Sequence, residues 1–418
     1  MKQILMISLK ALAAFLLLVA LVFVIFSVSP IYNFSAPKAF EGPDIYNPYE
    51  GISGSWKRAC FHIHTKVDNI LNECPDYPDK VYEDYKKLGY DIIAFSNHNY
   101  ITRHPVDSSL QINVYEQGIN IPKFHKLVFN PRRVHFWDVL MPVFDSQKQW
   151  QYDYLGADAD FIVMNHPDRT LGMNSRSMRH LTGYRMIEAE CGAKRKQILW
   201  DYGLSAGHYS HILLNDDCHD SGHHSQIARR CSWLDVPSAR YEDIAPVLMS
   251  GRFYSMSLPD YGWGDWEAKY AGNAALPRVE DIGVRGDSVY VSLSQPARIE
   301  AWGQDHTMLA ECEGTTMVYV MRPEDPYVRF VASFIDGVWK SEHVVIYTNA
   351  FARYDASVAD SPYEVSPHSV NWLLTVLFNL LLLALAVLLL LLIRRTLTFE
   401  KKKTGFTVEE LRFRGIVP

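Results

Sequence analysis

Two long apolar runs bracket the chain, and between them the hydrophobic pattern changes twice. Residues 11–28 and 371–393 are uncharged and largely apolar, the second with leucine tracts at 380–383 and 388–392. Each is about long enough to cross a hydrocarbon core of roughly 30 Å as a helix. Residues 30–54, rich in Pro, Tyr, Asn and Gly, read as a linker. From 56 to about 261, short apolar runs (59–61, 91–95, 112–115, 127–129, 161–164, 186–187 and 212–214) alternate with longer helical or loop stretches. Such alternation predicts a parallel α/β arrangement, a barrel being one form of it. Residues 81–88 suit a helix leading through Gly89 into the next strand. From 275 to about 354 the texture is strand-like throughout. Runs at 282–293, 298–302, 316–321, 328–334 and 342–348 are separated by turn signals at 285–287 and 335–337, which predicts a small all-β unit of sandwich type.

Charge orients the apolar runs. Lys2 and Lys10 precede or enter the first, and Arg394, Arg395, Lys401, Lys402 and Lys403 follow the second, while Asp355, Asp360 and Glu364 precede it. Basic residues favour the cytoplasmic side, so both ends are expected inside and residues 30–370 outside. A cleaved signal peptide is the competing reading of the first run. Residues 26–30 offer small residues but no A-x-A site, and the topology is the same either way. The net charge of -6 argues against a nucleic-acid backbone as partner. The 24 Tyr and 10 Trp suit an aromatic core as well as carbohydrate or lipid contact. Six cysteines, at 60, 74, 191, 218, 231 and 312, fall in the exported region, where disulfides are allowed but spacing cannot pair them.

The chemistry lies where histidines and carboxylates meet the ends of the apolar runs. The first ends in Phe61-His62-Ile63-His64-Thr65. Residues two apart on a strand point to the same side, so His62 and His64 reach one cluster together. Later runs end in Ser96-Asn97-His98, Tyr115-Glu116 with His125 a short loop on, Asn165-His166-Pro167, and Asp216-Asp217-Cys218-His219. The C-terminal ends of strands are where barrels and open parallel sheets place their sites. Imidazoles and carboxylates are ligands for Zn, Mn or Fe, and a carboxylate can bridge two ions. Arg169 is a candidate to hold phosphate oxygens, or else an ordinary surface residue. Asp216 would orient a ligand histidine from behind, or simply end a strand. Glu188, at another strand end, could face the site. His208, His211, His223 and His224 read as a polar loop over its mouth.

In this order, His62-x-His64-Thr65, Ser96-Asn97-His98, Tyr115-Glu116, Asn165-His166-Pro167 and Asp217-x-His219 resemble the motifs of the polymerase-and-histidinol-phosphatase (PHP) superfamily. The resemblance covers residues 56–261, about half the chain. It implies an α/β fold with a distorted seven-stranded (β/α) barrel, two or three divalent transition-metal ions, and hydrolysis of phosphomonoesters or phosphodiesters. Carried over, His62, His64 and Asp217 would bind one metal, with Glu116 bridging to a second held by His125 and His166. His98 and His219 would take the third. The sequence departs from the usual pattern in three places. Asn97 stands where Asp is common, and Asp68 and Asn69 stand near where another ligand is often found. The glutamate motif reads Tyr-Glu-Gln-Gly, leaving Asn120 as a rival to Glu116.

The expected organisation is therefore a transmembrane anchor or signal-anchor at 1–29, a linker at 30–54, a PHP-type hydrolase barrel at 55–262 and a β domain at 275–355. A transmembrane helix at 371–393 and a basic cytoplasmic tail at 394–418 complete it. The function expected is metal-dependent phosphoester hydrolysis at the outer face of a membrane, on a phosphorylated small molecule, a lipid or an envelope glycan. Two other readings stay open: a non-catalytic envelope scaffold, and hydrolysis of a C–N bond, since similar ligand sets on barrels serve both chemistries.

Overall fold

In the computed structural model, which describes residues 2–189, 197–334, 343–363 and 368–398, all seven apolar runs between 56 and 214 overlap a strand. They are β1 (Trp56–Cys60), β2 (Ile92–Ile93), β3 (Val114–Gln117), β4 (Lys126–Phe129), β5 (Phe161–Met164), β6 (Met186–Ile187) and β7 (His211–Ile212). The fold is mixed α/β. β1 pairs with β2 in parallel, and β5, β6 and β7 pair in parallel in turn. β4, however, is antiparallel to both β3 and β5. The link 118–125 is too short for the crossover a parallel pair needs, so the chain turns back as a hairpin. This reversal sets the start of β4 beside the end of β3, with Gln117 opposite Lys126. Two isolated parallel bridges, His98 with Glu116 and Ile63 with Cys218, join the polar segments beyond the strand ends.

The β-rich stretch differs from the separate sandwich expected at 275–355. Its strands are β10 (Val279–Arg285), β11 (Ser288–Gly303), β12 (Thr307–Val320), β13 (Tyr327–Phe334) and β14 (Val344–Thr348), and they follow β8 (Arg230–Asp235) and β9 (Phe253–Ser257). β14 pairs with β9, β9 with β8, and β8 with β1. One eleven-stranded sheet thus runs β10-β11-β13-β14-β9-β8-β1-β2, with β12 on β11, the short strand Phe351–Tyr354 on β13, and Asp44–Tyr46 on Phe351–Tyr354. A single apolar cluster extends from Cys60, Ile93 and Tyr254 to Phe330 and Ile346. Alternation reveals a strand and its apolar face, but not which strand it pairs with. The turn expected at 335–337 lies outside the described residues.

Ser29–Thr375 form one compact unit. Residues 30–54 belong to it rather than forming a free linker: Tyr49 is buried and its hydroxyl accepts a hydrogen bond from Asn349 N at 2.6 Å. Tyr32–Phe34 pairs antiparallel with His368–Val370. Just beyond this ribbon, Asn371 N donates to Ile31 O at 2.7 Å and Ile31 N to Thr375 Oγ1 at 2.9 Å. Two helices, Ile4–Ile25 and Trp372–Leu397, are long and apolar enough to span a membrane. Leu12, Leu16, Leu381 and Leu388 along them are exposed, a surface that water does not favour. Cys60, Cys74, Cys218, Cys231 and Cys312 are free thiols, so no disulfide joins the described residues. Cys191, Glu364 and the basic residues Lys401 to Lys403 lie outside them.

A buried ion pair ties the β-rich part to the helix Gln197–Ser205. Arg329 donates from Nε to Asp201 Oδ1 at 2.7 Å and from Nη2 to Oδ2 at 2.6 Å, and both side chains are fully buried. Burial pushes the Asp201 carboxyl up, but Arg329 and then His306 pull it below the usual carboxylate range. The stability this carboxylate contributes is therefore present above about pH 4, its unfolded value, and is lost as pH falls through the lower folded value. Arg329→Ala strands a buried charge and should cost about 3–5 kcal/mol, read as a lowered denaturant midpoint for the detergent-solubilised chain.

Candidate metal centre

The segment after β1 is held open on both sides by backbone hydrogen bonds. His64 N donates to Cys218 O at 2.8 Å, Asp217 N to His62 O at 3.0 Å, and Ser96 N to Ile63 O at 2.8 Å. Phe61 and Ile63 enter apolar clusters, and the alternation sends His62 and His64 the other way. His62 Nε2 lies 3.2 Å from Glu116 Oε2 and 3.1 Å from Asp217 Oδ1. His64 Nε2 lies 3.1 and 3.3 Å from the same two oxygens. Neither nitrogen makes a hydrogen bond, although both are buried. The atoms converge on a common point instead of lining up donor to acceptor, as ligands around an ion do. On this ground the residues fit a metal.

Glu116 faces two groups. Its Oε2 meets His62 and His64, with His98 Nε2 at 3.4 Å. Its Oε1 meets His125 Nδ1 at 3.1 Å and His166 Nε2 at 3.2 Å. Ligand atoms of His64, His98 and His219 form a third close group. All eight metal-ligating candidates named from the sequence, His62, His64, His98, Glu116, His125, His166, Asp217 and His219, are thus brought together. The β3–β4 reversal explains His125, which precedes its strand rather than following one. Gly118 (φ +136°) makes this approach possible, since a Cβ there would sit 2.4 Å from His125 Cδ2. His166 (φ 26°) and Asp217 (φ 54°) are held in the sparsely populated left-handed region, a cost that surrounding structure must impose and that clusters at functional sites.

The electrostatics follow from two carboxylates buried among imidazoles. Burial raises the Glu116 carboxyl, but His62, His125 and His98 pull it well below the usual range. Asp217 is likewise raised by burial and pulled well below by His62 and His64. Burial disfavours charge on His62 and His64, yet the carboxylates lift the first well above the usual imidazole value and raise the second. Burial holds His98 down to about 4 and lowers His219. Two sunken carboxylates demand positive charge, which protons or a metal ion can provide in competition.

Residues behind the ligands fix their orientation. His62 Nδ1 donates to Glu188 Oε1 and Oε2 at 3.0 and 3.1 Å, which leaves Nε2 free to accept an ion. Asn215 Nδ2 donates to Glu188 Oε1 at 2.8 Å. Asn165 Nδ2 donates to Glu116 Oε1 at 2.9 Å, while its Oδ1 accepts from Leu127 N at 2.9 Å. Arg169, on the short turn Pro167–Arg169, contacts the Asp217 carboxylate through Nη1 and remains partly exposed. It therefore sits at the mouth of the cluster.

Several expectations are corrected. Asp216 does not orient a histidine. Its carboxylate accepts from Tyr85 OH at 2.8 Å and from the backbone N–H groups of Ala228, Arg229 and Arg230 at 2.7–2.8 Å, which pins a turn. Glu188 takes the orienting part instead. Asn97 bonds Thr65 N through Oδ1 at 2.8 Å and the Thr65 and Thr102 hydroxyls through Nδ2 at 2.7 and 2.6 Å, a donor role that a carboxylate cannot fill. Asn120, the rival to Glu116, braces its own loop on Phe124 and Asp138. Asp68 and Asn69 serve Tyr77 OH and Leu71 N. Glu73, missed in the sequence, reaches His219 Nε2 at 3.1 Å and lies 3.6 Å from His98 Nε2. Its only signal was an acidic residue in the loop after the His-x-His motif. His208, His211 and His224 pair with Arg179 O, Tyr363 OH and Asp260 respectively.

Glu188→Ala should leave the fold intact and weaken metal binding by roughly 10–100-fold, measured by chelator competition. No protein-family model and no curated protein matches the chain. It is similar to the crystal structure of a two-domain protein from Bacteroides vulgatus ATCC 8482 containing a predicted PHP-like metal-dependent phosphoesterase. The identity is 12%, the match covers 76% of this chain and 100% of that one, and the TM-score is 0.36.

Proposed function

We propose that this chain is a membrane-anchored, metal-dependent phosphoesterase of the PHP type. In this reading its seven strands close as a distorted (β/α)7 barrel and the ligand cluster opens outside the cytoplasm. The observation that carries it is Glu116, whose two oxygens face two separate sets of imidazoles, as a carboxylate bridging two ions would. The bridges His98–Glu116 and Ile63–Cys218 support closure of the barrel. Arg169 at the mouth suits a phosphoester, because a guanidinium matches phosphate oxygens.

Bound divalent ions, of Zn, Mn or Fe, would lower the pKa of a coordinated water and neutralise phosphate charge. The chain's own residues do the positioning. Glu188 locks the His62 ring, Asn165 fixes Glu116, and the His166 backbone is clamped by His166 N donating to Glu188 Oε2 at 3.3 Å. Asp217 holds Arg169 at the mouth, where its guanidinium would meet the phosphoryl oxygens. The substrates this chemistry suits are phosphorylated small molecules, lipids and envelope glycans.

Purified full-length chain should contain two or three transition ions and hydrolyse p-nitrophenyl phosphate or its bis ester. His62→Ala, His166→Ala and Asp217→Ala should each lower the rate at least roughly a hundredfold with loss of metal. Arg169→Ala should keep the metal and lose roughly a hundredfold in rate. Wild-type rates in the His62 and Asp217 variants would refute the assignment and leave the scaffold reading. The antiparallel ribbon Tyr32–Phe34 with His368–Val370 supports one further expectation, that both termini share a side. A reporter active only in the cytoplasm should work when fused after Pro418 and fail when inserted in the turn at Gly286; the reverse would overturn the orientation.

A further inference from the structure

Six exposed apolar side chains of the compact unit lie on neighbouring loops beside the metal centre. Ile119, Ile121, Met141, Val143, Phe144 and Leu171 come from three loops and all are exposed, Val143 and Leu171 by 66% and 68%. Hydrogen bonds stitch these loops into one surface: Ile121 N donates to Leu140 O at 3.1 Å, Leu171 N to Pro122 O at 2.8 Å, and Ile119 N to Asp138 Oδ2 at 2.8 Å. One border of the surface is the metal centre. Leu171 follows Arg169 by two residues, and Ile119 follows Gly118, which packs on His125. The opposite border is the ribbon. Phe144 caps the helix Asp145–Gly156, and Ser146 Oγ in that helix accepts from Tyr32 N at 3.1 Å. A cleft of about 350 Å³ lies there between Tyr32, Phe34, Val143 and Phe144, with Lys148 and Arg176 also lining it. From this ribbon the chain runs at both ends into the apolar helices, and Trp372 and Leu373, just beyond it, are exposed.

We infer that the surface formed by Ile119, Ile121, Met141, Val143, Phe144 and Leu171 docks on the lipid bilayer, and that the substrate is a phosphoester held in that bilayer. The inference rests on the membrane-anchored phosphoesterase reading. The occupant is a bilayer because the surface is continuous, through Ser146 and Tyr32, with the ribbon at which two apolar helices begin. Large exposed aliphatic and aromatic side chains with cationic neighbours are what an interface of acyl chains and anionic headgroups accepts. Lys123 and Arg176, both exposed, stand among these loops. A seated apolar surface sets the distance from the metal centre to the headgroups.

The test reconstitutes the full chain in phosphatidylcholine–phosphatidylglycerol vesicles carrying a lipid with a diazirine in its acyl chain. After irradiation, labelled peptides are mapped by mass spectrometry. Labels are expected at 119–121, 141–144 and 171 in addition to the two helices; labels confined to the helices would overturn the docking. A second arm compares wild type with Val143→Asp/Phe144→Asp. Asp is a favoured helix N-cap, so the helix at 145 is retained. Hydrolysis of phosphatidic acid or phosphatidylglycerol in the vesicle should fall at least roughly tenfold while hydrolysis of p-nitrophenyl esters stays unchanged. Equal rates on the lipid for both proteins would overturn the docking, and a wild type that hydrolyses the p-nitrophenyl esters but not the lipid would overturn the substrate class. A wild type inactive on every ester would instead refute the phosphoesterase reading, and the labelling would still decide the docking.

Discussion

Two carboxylates, Glu116 and Asp217, are sunk among imidazoles, and the need to compensate their charge organises the site. An unpaired buried carboxylate costs several kcal/mol, so the fold surrounds these two with His62, His64, His98, His125 and His166 and fixes the His62 ring from behind through Glu188. The imidazoles cannot all be donors to two oxygens at once. What remains is a set of lone pairs aimed inward, the arrangement that a cation satisfies and that a hydrogen-bonded core does not. The left-handed backbone at His166 and Asp217 is strain held in place by the same network.

The β-rich part takes a direct share in holding that site. Asn349, between β14 and Phe351–Tyr354, accepts from Ile212 N at 2.9 Å and donates to Gly251 O and Phe253 O at 2.9 Å. Ser232 and Ser255, on β8 and β9, bond to Leu214 N at 3.1 and 3.2 Å. These contacts lie along the segment that runs from β7 to Asp217 and His219. A strand of only two residues cannot aim two ligands by itself; the neighbouring sheet supplies the missing backbone partners. The Arg329–Asp201 pair secures the same sheet to the helix before β7. The stretch expected to be an independent sandwich is thus a brace for the ligand-bearing side.

The ends of the compact unit are tied as firmly as its centre. A ribbon between Tyr32–Phe34 and His368–Val370, locked by Ile31 and Thr375, brings the two exits of the chain together. Apolar helices follow at both exits, so one face of the unit is defined by covalent connection. The exposed apolar loops border the same ribbon, and the metal centre borders the loops.

Residue type and local spacing made much of this legible in the sequence. The apolar runs marked all seven short strands. The His-x-His period of two put His62 and His64 on one side, and polar residues at strand ends named the eight residues that the fold brings together. Long uncharged runs marked the two helices. What the sequence left open depended on contacts between residues far apart. The direction of β4 came from the shortness of 118–125 acting together with its neighbours, and the merging of two expected domains came from β14 choosing β9. The exchange of roles between Asp216 and Glu188 had the same origin. Carboxylates at strand ends look alike in sequence, but backbone amides at 228–230 captured Asp216, while Glu188, at the end of β6, was left facing His62. Glu73 is the same case, an ordinary loop acid until folding set it beside His219. Local chemistry fixes what a side chain can bind, whereas only the packed chain decides which partner comes within about 3 Å, because hydrogen bonds and ligation are lost over a fraction of that distance.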